Sequence, residues 1–170
     1  EMVGKIKAAV DARASEATAI VARTDAIAVE GFEAAIERAM LYAEAGADLL
    51  FVEAPGSAEQ LAAVAARLGK VKPLMANMVE GGRTPIASAA ELERIGFALA
   101  IFPGGIVRAV AHAARAFYAT LAADGTTAAF RGRMLDFDQL NAAIGTPAML
   151  DLGRSYETFA APAASAKGGQ

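Results

Sequence analysis

Between residues 31 and 45, Phe32, Ala35, Ile36, Ala39, Met40 and Ala43 recur at the spacing of one helical face, with Glu33, Glu37 and Glu44 largely opposite. The spacing predicts a helix there, and Gly46 stands where a glycine commonly ends one. Residues 1–13 show the same periodicity through Val3, Ile6 and Val10, with Lys5 and Lys7 on the other side. Between and after these helices the pattern changes to short apolar runs without alternation. Thr18 to Ala22 stops at Arg23-Thr24-Asp25, and Leu49 to Val52 stops at Glu53. Pro73 to Ala76 stops at Asn77, and Ala98 to Phe102 stops at Pro103-Gly104-Gly105. Amphipathic segments follow three of these runs, at about 58–68, about 89–95, and along a long helix whose Val107, Val110, Ala114, Phe117 and Leu121 share a face.

Runs of four or five apolar residues, each followed by a helix, predict strands buried on both faces of a parallel sheet. Successive strands start near Thr18, Leu49, Leu74 and Leu99, a recurrence of 25 to 31 residues. A (β/α)8 TIM barrel averages about 31 residues per unit, so four units amount to half a barrel. An open doubly wound sheet is the rival, but neither a G-x-G-x-x-G nor a phosphate-binding P-loop follows any of the runs. The expected organisation is therefore a half-barrel over residues 1–125 and a helical extension over 126–157. In the extension, short helical pieces surround Met134, Leu135, Phe137, Leu140 and Ile144 and break at Gly145-Thr146-Pro147. The small and polar residues 158–170 are expected to be a disordered tail.

Composition narrows the function classes. The net charge of −3 and a pI near 5.2 give no electrostatic ground for nucleic acid or an anionic membrane as partner. The absence of cysteine excludes disulfides and thiolate metal sites within these residues. No apolar run approaches the roughly 18 residues of a membrane span, and no signal-peptide pattern opens the sequence. A cytoplasmic protein is the expectation.

In parallel α/β folds, functional groups collect at the carboxyl ends of the strands. Those positions hold Arg23, Thr24 and Asp25; Glu53; Asn77 with Glu80, Gly81, Gly82, Arg83 and Thr84; and Gly104 with Gly105. The set suits a small anionic substrate. Arg23 can grip a carboxylate with two parallel bonds, Asn77 offers an amide, and Glu53 can handle a proton. The glycine pairs expose backbone N–H groups near helix starts, where anions are favoured. Structural alternatives stand beside each role. Asp25 can cap the next helix, Glu53 can be the ion-pair partner of Arg23, and the glycines can be turn formers. His112, the sole histidine, falls on the outer face of the long helix, and Met40, Met75 and Met134 fit core filling.

Taken in order, Glu1-Met2-Val3-Gly4-Lys5-Ile6-Lys7-Ala8-Ala9-Val10-Asp11-Ala12-Arg13, Ala22-Arg23-Thr24-Asp25-Ala26, Ala45-Gly46-Ala47-Asp48 with Phe51-Val52-Glu53-Ala54, and Ala76-Asn77-Met78-Val79-Glu80-Gly81-Gly82-Arg83-Thr84-Pro85 resemble the second half of the isocitrate lyase / phosphoenolpyruvate mutase superfamily. The likeness runs from residue 1 to about 156 and points to the shorter, 2-methylisocitrate lyase or carboxyvinyl-carboxyphosphonate phosphorylmutase-like, branch. It implies a TIM barrel whose Mg2+ holds an oxyacid while a C–C or P–C bond breaks to an enolate. Arg23 and Glu53 would be catalytic, Arg23 also holding a substrate carboxylate. Asn77, Gly81, Gly82 and Thr84 would bind the far end of the substrate. The resemblance further implies a homo-oligomer, a dimer of dimers joined through the C-terminal helices.

The same resemblance places the Mg2+ ligands and a Lys-Lys-Cys-Gly loop ahead of Glu1, so none of residues 1–170 is expected to bind the metal. A piece of a longer enzyme is therefore expected, cleaving a C–C bond in a 2-hydroxy dicarboxylate or tricarboxylate such as 2-methylisocitrate or dimethylmalate. Oxaloacetate decarboxylase and phosphonate-forming mutase chemistry are alternatives on the same scaffold. The decarboxylase branch tends to carry a histidine where this chain has Gly104-Gly105, and His112 does not match that position. A reading of another class makes the chain a non-catalytic half-barrel whose open edges recruit a partner.

Overall fold

A computed structural model describes residues 1–157; the expected tail at 158–170 lies outside the described residues. The chain divides into two compact units, Glu1–Val110 and the residues from Ala111 onward. In the first, the order is α1 (Met2–Ala12), β1 (Val21–Thr24), α2 (Ala26–Glu30), α3 (Phe32–Glu44), β2 (Leu49–Val52), α4 (Ala58–Leu68), β3 (Leu74–Asn77), α5 (Ala89–Ile95) and β4 (Leu99–Ile101). The helix α6 (Gly105–Asp124) begins in the first unit and ends in the second. A 3-10 turn (Ala128–Arg133), α7 (Phe137–Ala143) and α8 (Thr146–Glu157) follow.

The four strands are parallel and lie in sequence order. This is a partial α/β barrel, as the recurrence of apolar runs predicts. Its core forms where one face of the sheet meets the helices. Ala22, Leu50, Val52, Leu74 and Ala76 pack there with Ala35, Ile36 and Ala39 of α3 and Leu61, Val64 and Leu68 of α4. Each fully buried aliphatic side chain contributes about 1.5–3 kcal/mol, so this layer holds the sheet to its helices.

The opposite face behaves differently, and here the expectation of strands buried on both sides is corrected. Burial alternates along β1 and β3, and only β2 is covered almost throughout. The register aligns Arg23 with Phe51, Phe51 with Met75, and Met75 with Leu99. That row lies on the face away from the helix-packed core. At the two sheet edges Val21 and Leu99 are each 43% exposed. A strand without alternation in its sequence thus need not have both faces covered.

Local chemistry explains most boundaries. Ser57 and Ser88 cap α4 and α5, the second as a complete capping box with Glu91. Gly46 follows α3 at φ +105°, a left-handed position that suits a glycine. Asp48 ties three segments together, accepting from the Ile20 N–H and from Arg13, each at 2.8 Å. The Ile20 amide first, and the Arg13 guanidinium with it, hold the Asp48 carboxyl below the ordinary carboxylate range.

Some details depart from the sequence pattern. β1 starts three residues later than the apolar run and includes Arg23 and Thr24, which continue the pairing with Phe51 and Val52. The short helix α2 had no periodic signal. Met40 and Met134 are 37% and 40% exposed rather than core fillers. His112 is exposed, as expected. In the second unit, Phe130 is buried, stacked edge-on with Phe117 and covered by the Arg133 guanidinium. Neither α7 nor α8 has a buried residue. Among the described residues, no helix is long and apolar enough to cross a membrane.

Candidate active site

Parallel pairing brings the ends of β1, β2 and β3 side by side, and with them Arg23, Glu53 and Asn77. Arg23 lies over the ring of Phe51, 5.0 Å from its centre, because the two residues are register partners on the open face. Its guanidinium donates to Asp25 through Nε (3.0 Å) and Nη2 (2.7 Å). Nη2 also lies 3.6 Å from the Glu53 carboxylate. The bond from Arg23, together with its charge, holds the Asp25 carboxyl below its ordinary range, and Asp25 in turn raises Arg23.

Glu53 follows β2 directly and is drawn from the other side by Asn77, whose Nδ2 lies 3.3 and 3.5 Å from its two oxygens. This fixes which way the amide points, since the reverse orientation would set oxygen against carboxylate. The Asn77 Oδ1 is then buried with no hydrogen-bond donor among the described residues. A buried acceptor without a partner costs about 1–3 kcal/mol, a cost this strand end carries in order to aim the Asn77 amide at Glu53.

A cleft of about 210 Å³ opens beside these groups, lined by Glu53, Ala54, Asn77, Val79, Gly82, Arg83 and Thr84. Ala54 has φ +59°, left-handed for a non-glycine residue, and turns the chain sharply after Glu53. Across the cleft, Gly81 at φ +74° and the bond from Gly82 N–H to the Val79 carbonyl (2.9 Å) make a tight turn that returns the chain to the cleft. A side chain at Gly82 would press on that carbonyl, since a Cβ there would lie 3.0 Å from it. Thr84 is 9% exposed, so its position in the wall is set by packing.

The sequence-derived site residues Glu53, Asn77, Gly82 and Thr84 therefore line one cleft. Arg23 reaches it through Glu53, and Gly81 shapes its rim. Three features were missed. Ala54 carries no sequence signal for its left-handed backbone. The stacking of Arg23 on Phe51 follows only from strand register. The Gly104-Gly105 pair lies against the chain's own Glu80 carboxylate, whose Oε1 would sit 2.9 Å from a Cβ at Gly105.

The same residues do not make a divalent-cation site. Among the described residues, no group of three or more His, Cys, Asp or Glu could hold a metal ion. The strand-end acids Asp25 and Glu53 are engaged by Arg23, and Glu80 by Arg108. A hard cation takes six or more oxygen ligands, several from carboxylates or waters.

Comparison with known proteins agrees with this architecture. The family model described as phosphoenolpyruvate phosphomutase matches residues 1–122. A 2,3-dimethylmalate lyase of Eubacterium barkeri is 39% identical over 160 residues, 93% of this chain and 54% of that protein. A 2-methylisocitrate lyase of Vibrio cholerae is 41% identical over 138 residues, 79% of this chain and 45% of that protein. Among solved structures, a phosphonopyruvate hydrolase complexed with oxalate and Mg2+ superposes with a TM-score of 0.77 at 25% identity, covering 92% of this chain and 55% of that one. The chain spans about half the length of these relatives. Its matched residues include the strand ends that carry Arg23, Glu53 and Asn77, and its parallel α/β fold superposes on about half of the hydrolase. On both grounds, the chain belongs to the phosphoenolpyruvate mutase/isocitrate lyase superfamily.

Proposed function

We propose that residues 1–157 are the substrate-anchoring half of a lyase that cleaves a C–C bond in a small 2-hydroxy dicarboxylate or tricarboxylate. The observation that carries this reading is the meeting of Arg23, Glu53 and Asn77 at adjacent strand ends, a cation and a carboxylate beside one cleft. A hydroxy acid offers the complementary parts, a hydroxyl to donate and carboxylates to accept. Arg23 binds a carboxylate through its remaining N–H groups while Asp25 and Phe51 hold the guanidinium plane. Arg83 and Thr84, on the cleft wall with Asn77, hold the far end. Breaking the C–C bond moves the hydroxyl proton away and leaves an enolate to be protonated. Glu53 is the carboxylate placed to exchange that proton, with Arg23 and Asn77 fixing its direction. The related lyases of 2,3-dimethylmalate and 2-methylisocitrate support this substrate class.

The enzyme we propose also uses Mg2+, in keeping with the metal bound to the related phosphonopyruvate hydrolase. Residues 1–157 do not fit that ion, and no step of the roles above runs through it. We further propose a homo-oligomer joined through the second unit. In α7, α8 and the link between them, Phe137 is 82%, Ile144 69% and Met149 69% exposed, an apolar set without cover among the described residues.

The deciding experiment joins this chain to the N-terminal half of a related lyase and assays keto-acid release from 2-methylisocitrate and 2,3-dimethylmalate. Turnover that falls about 10²-fold in Glu53→Gln is the expected result. A completed, folded barrel inert toward both substrates would remove the lyase reading.

A further inference from the structure

We propose that Arg108 is a positioning residue, a clasp that holds the loop after β3 in the shape that brings Arg83 and Thr84 into the cleft. This role rests on the cleft being the substrate site. The loop leaves the cleft at Asn77, turns at Gly81 and returns at Gly82 to Thr84. Its base is fixed by Met78, which is fully buried, donates its N–H to Ile101 (2.8 Å), and accepts the Ala87 N–H on sulfur. Among the described residues the turn's own backbone bond is that from Gly82 to Val79, and Glu80 at its apex is about half exposed.

Arg108 supplies the missing restraint from the next βα unit. Its Nη1 donates to the Glu80 backbone carbonyl and, at 3.2 Å, to the Glu80 carboxylate. One guanidinium thus fixes both the backbone and the side chain of the apex residue. The glycine pair makes room for this. A Cβ at Gly105 would lie 2.9 Å from Glu80 Oε1, and one at Gly104 would touch the Arg108 guanidinium at 3.5 Å. The anion beside the start of α6 is therefore part of the protein. Glu80 and Arg108 are both about half exposed, so the clasp adds little to global stability. Its effect is local, on the geometry of the turn.

Hydrogen exchange and nuclear magnetic resonance on the full chain test this, with Arg108→Ala and Arg108→Lys compared with wild type. The reporter is the Gly82 amide, and the references are the Leu50 and Glu53 amides, bonded to Pro73 and Thr24. Arg108→Ala should speed exchange at Gly82 at least threefold and leave the references unchanged. Lysine, which keeps the charge, should recover half of the loss or more. Unchanged exchange at Gly82, or equal acceleration at all three amides, would overturn the proposal. Oxalate, titrated with Mg2+ into this chain joined to the N-terminal half of a related lyase while the Asn77 side-chain amide is observed, supplies the second arm. Weaker binding in Arg108→Ala than in wild type supports the clasp, and equal binding overturns it. If the completed wild-type barrel binds no oxalate, the substrate reading of the cleft fails, while the Gly82 exchange still decides whether the clasp exists.

Discussion

Asp25 grips Arg23 by two nitrogens at once, Nε to Oδ2 at 3.0 Å and Nη2 to Oδ1 at 2.7 Å. The fork that could take a substrate carboxylate is thus held by the protein itself, and a ligand must approach the guanidinium from its other edge. Orientation, rather than charge alone, is what Asp25 contributes. Lysine at position 23 would keep the charge but lose the planar fork, the stacking on Phe51 and the fixed edge. In the completed enzyme Arg23→Lys should lower kcat/KM by about 10²-fold. Steady-state kinetics on 2,3-dimethylmalate check this, and a variant within threefold of wild type would remove Arg23 from the site.

Glu53 has structural ties to Arg23 and Asn77, so its role must be separated from that of an ion-pair partner. Its side chain is only 21% exposed, whereas that of Arg23 is 48% exposed. A 3.6 Å pair open to solvent on one side contributes about 0–1 kcal/mol to stability. Glu53→Gln should therefore change the unfolding midpoint little while turnover falls at least 10²-fold. A double-mutant cycle with Arg23, read for stability and for turnover separately, makes the distinction. Loss of stability with intact turnover would leave Glu53 a structural residue.

The pH dependence follows from Asp25. Its folded-state carboxyl is held below the ordinary range by Arg23, so the pair stabilises the fold above the unfolded pKa of about 4 and is lost as pH falls through the lower folded value. Asp25 is 59% exposed, which limits the contribution to about 1 kcal/mol or less. Comparing Asp25→Asn with wild type by urea unfolding should show a small gap at pH 7 that narrows as pH falls below about 4. A gap that does not narrow as pH falls below about 4 would mean that asparagine acts through something other than charge.

Much of this arrangement was legible because parallel α/β folds couple two simple signals. Apolar runs locate the strands, and the polar residue that ends each run marks the open face. Arg23, Glu53 and Asn77 were found that way, and they do meet. What escaped depends on partners distant in sequence. That Arg23 stacks on Phe51 requires the register of two strands. That Glu80 occupies the glycine pair requires the loop after β3 to lean on the next unit. The exposure of Met40 had no signal either, because periodicity marks a face but not whether another element covers it. Motif order, more than any single residue, carried the family resemblance.

The residues present also set a limit on metal chemistry that can be measured directly. Mg2+ dehydrates reluctantly and is held by one or two carboxylates in near-octahedral order with waters or ligand oxygens completing the shell. Asp25 and Glu53 already face Arg23, and Glu80 faces Arg108. Freeing any of them for a cation would leave a guanidinium without its partner. Calorimetric titration of the 170-residue chain with MgCl2 should therefore show no saturable site below about millimolar, a range in which even dedicated oxygen sites for hard cations are weak. The same chain should show no Mg2+-dependent release of keto acid from 2-methylisocitrate, because an enolate needs strong electrostatic stabilisation. The half-barrel also presents its cleft on an open face where water is not excluded. Saturable Mg2+ binding that is abolished by Glu53→Gln would show that Glu53 exchanges Arg23 for a metal, and the proton role assigned to it would have to be given up.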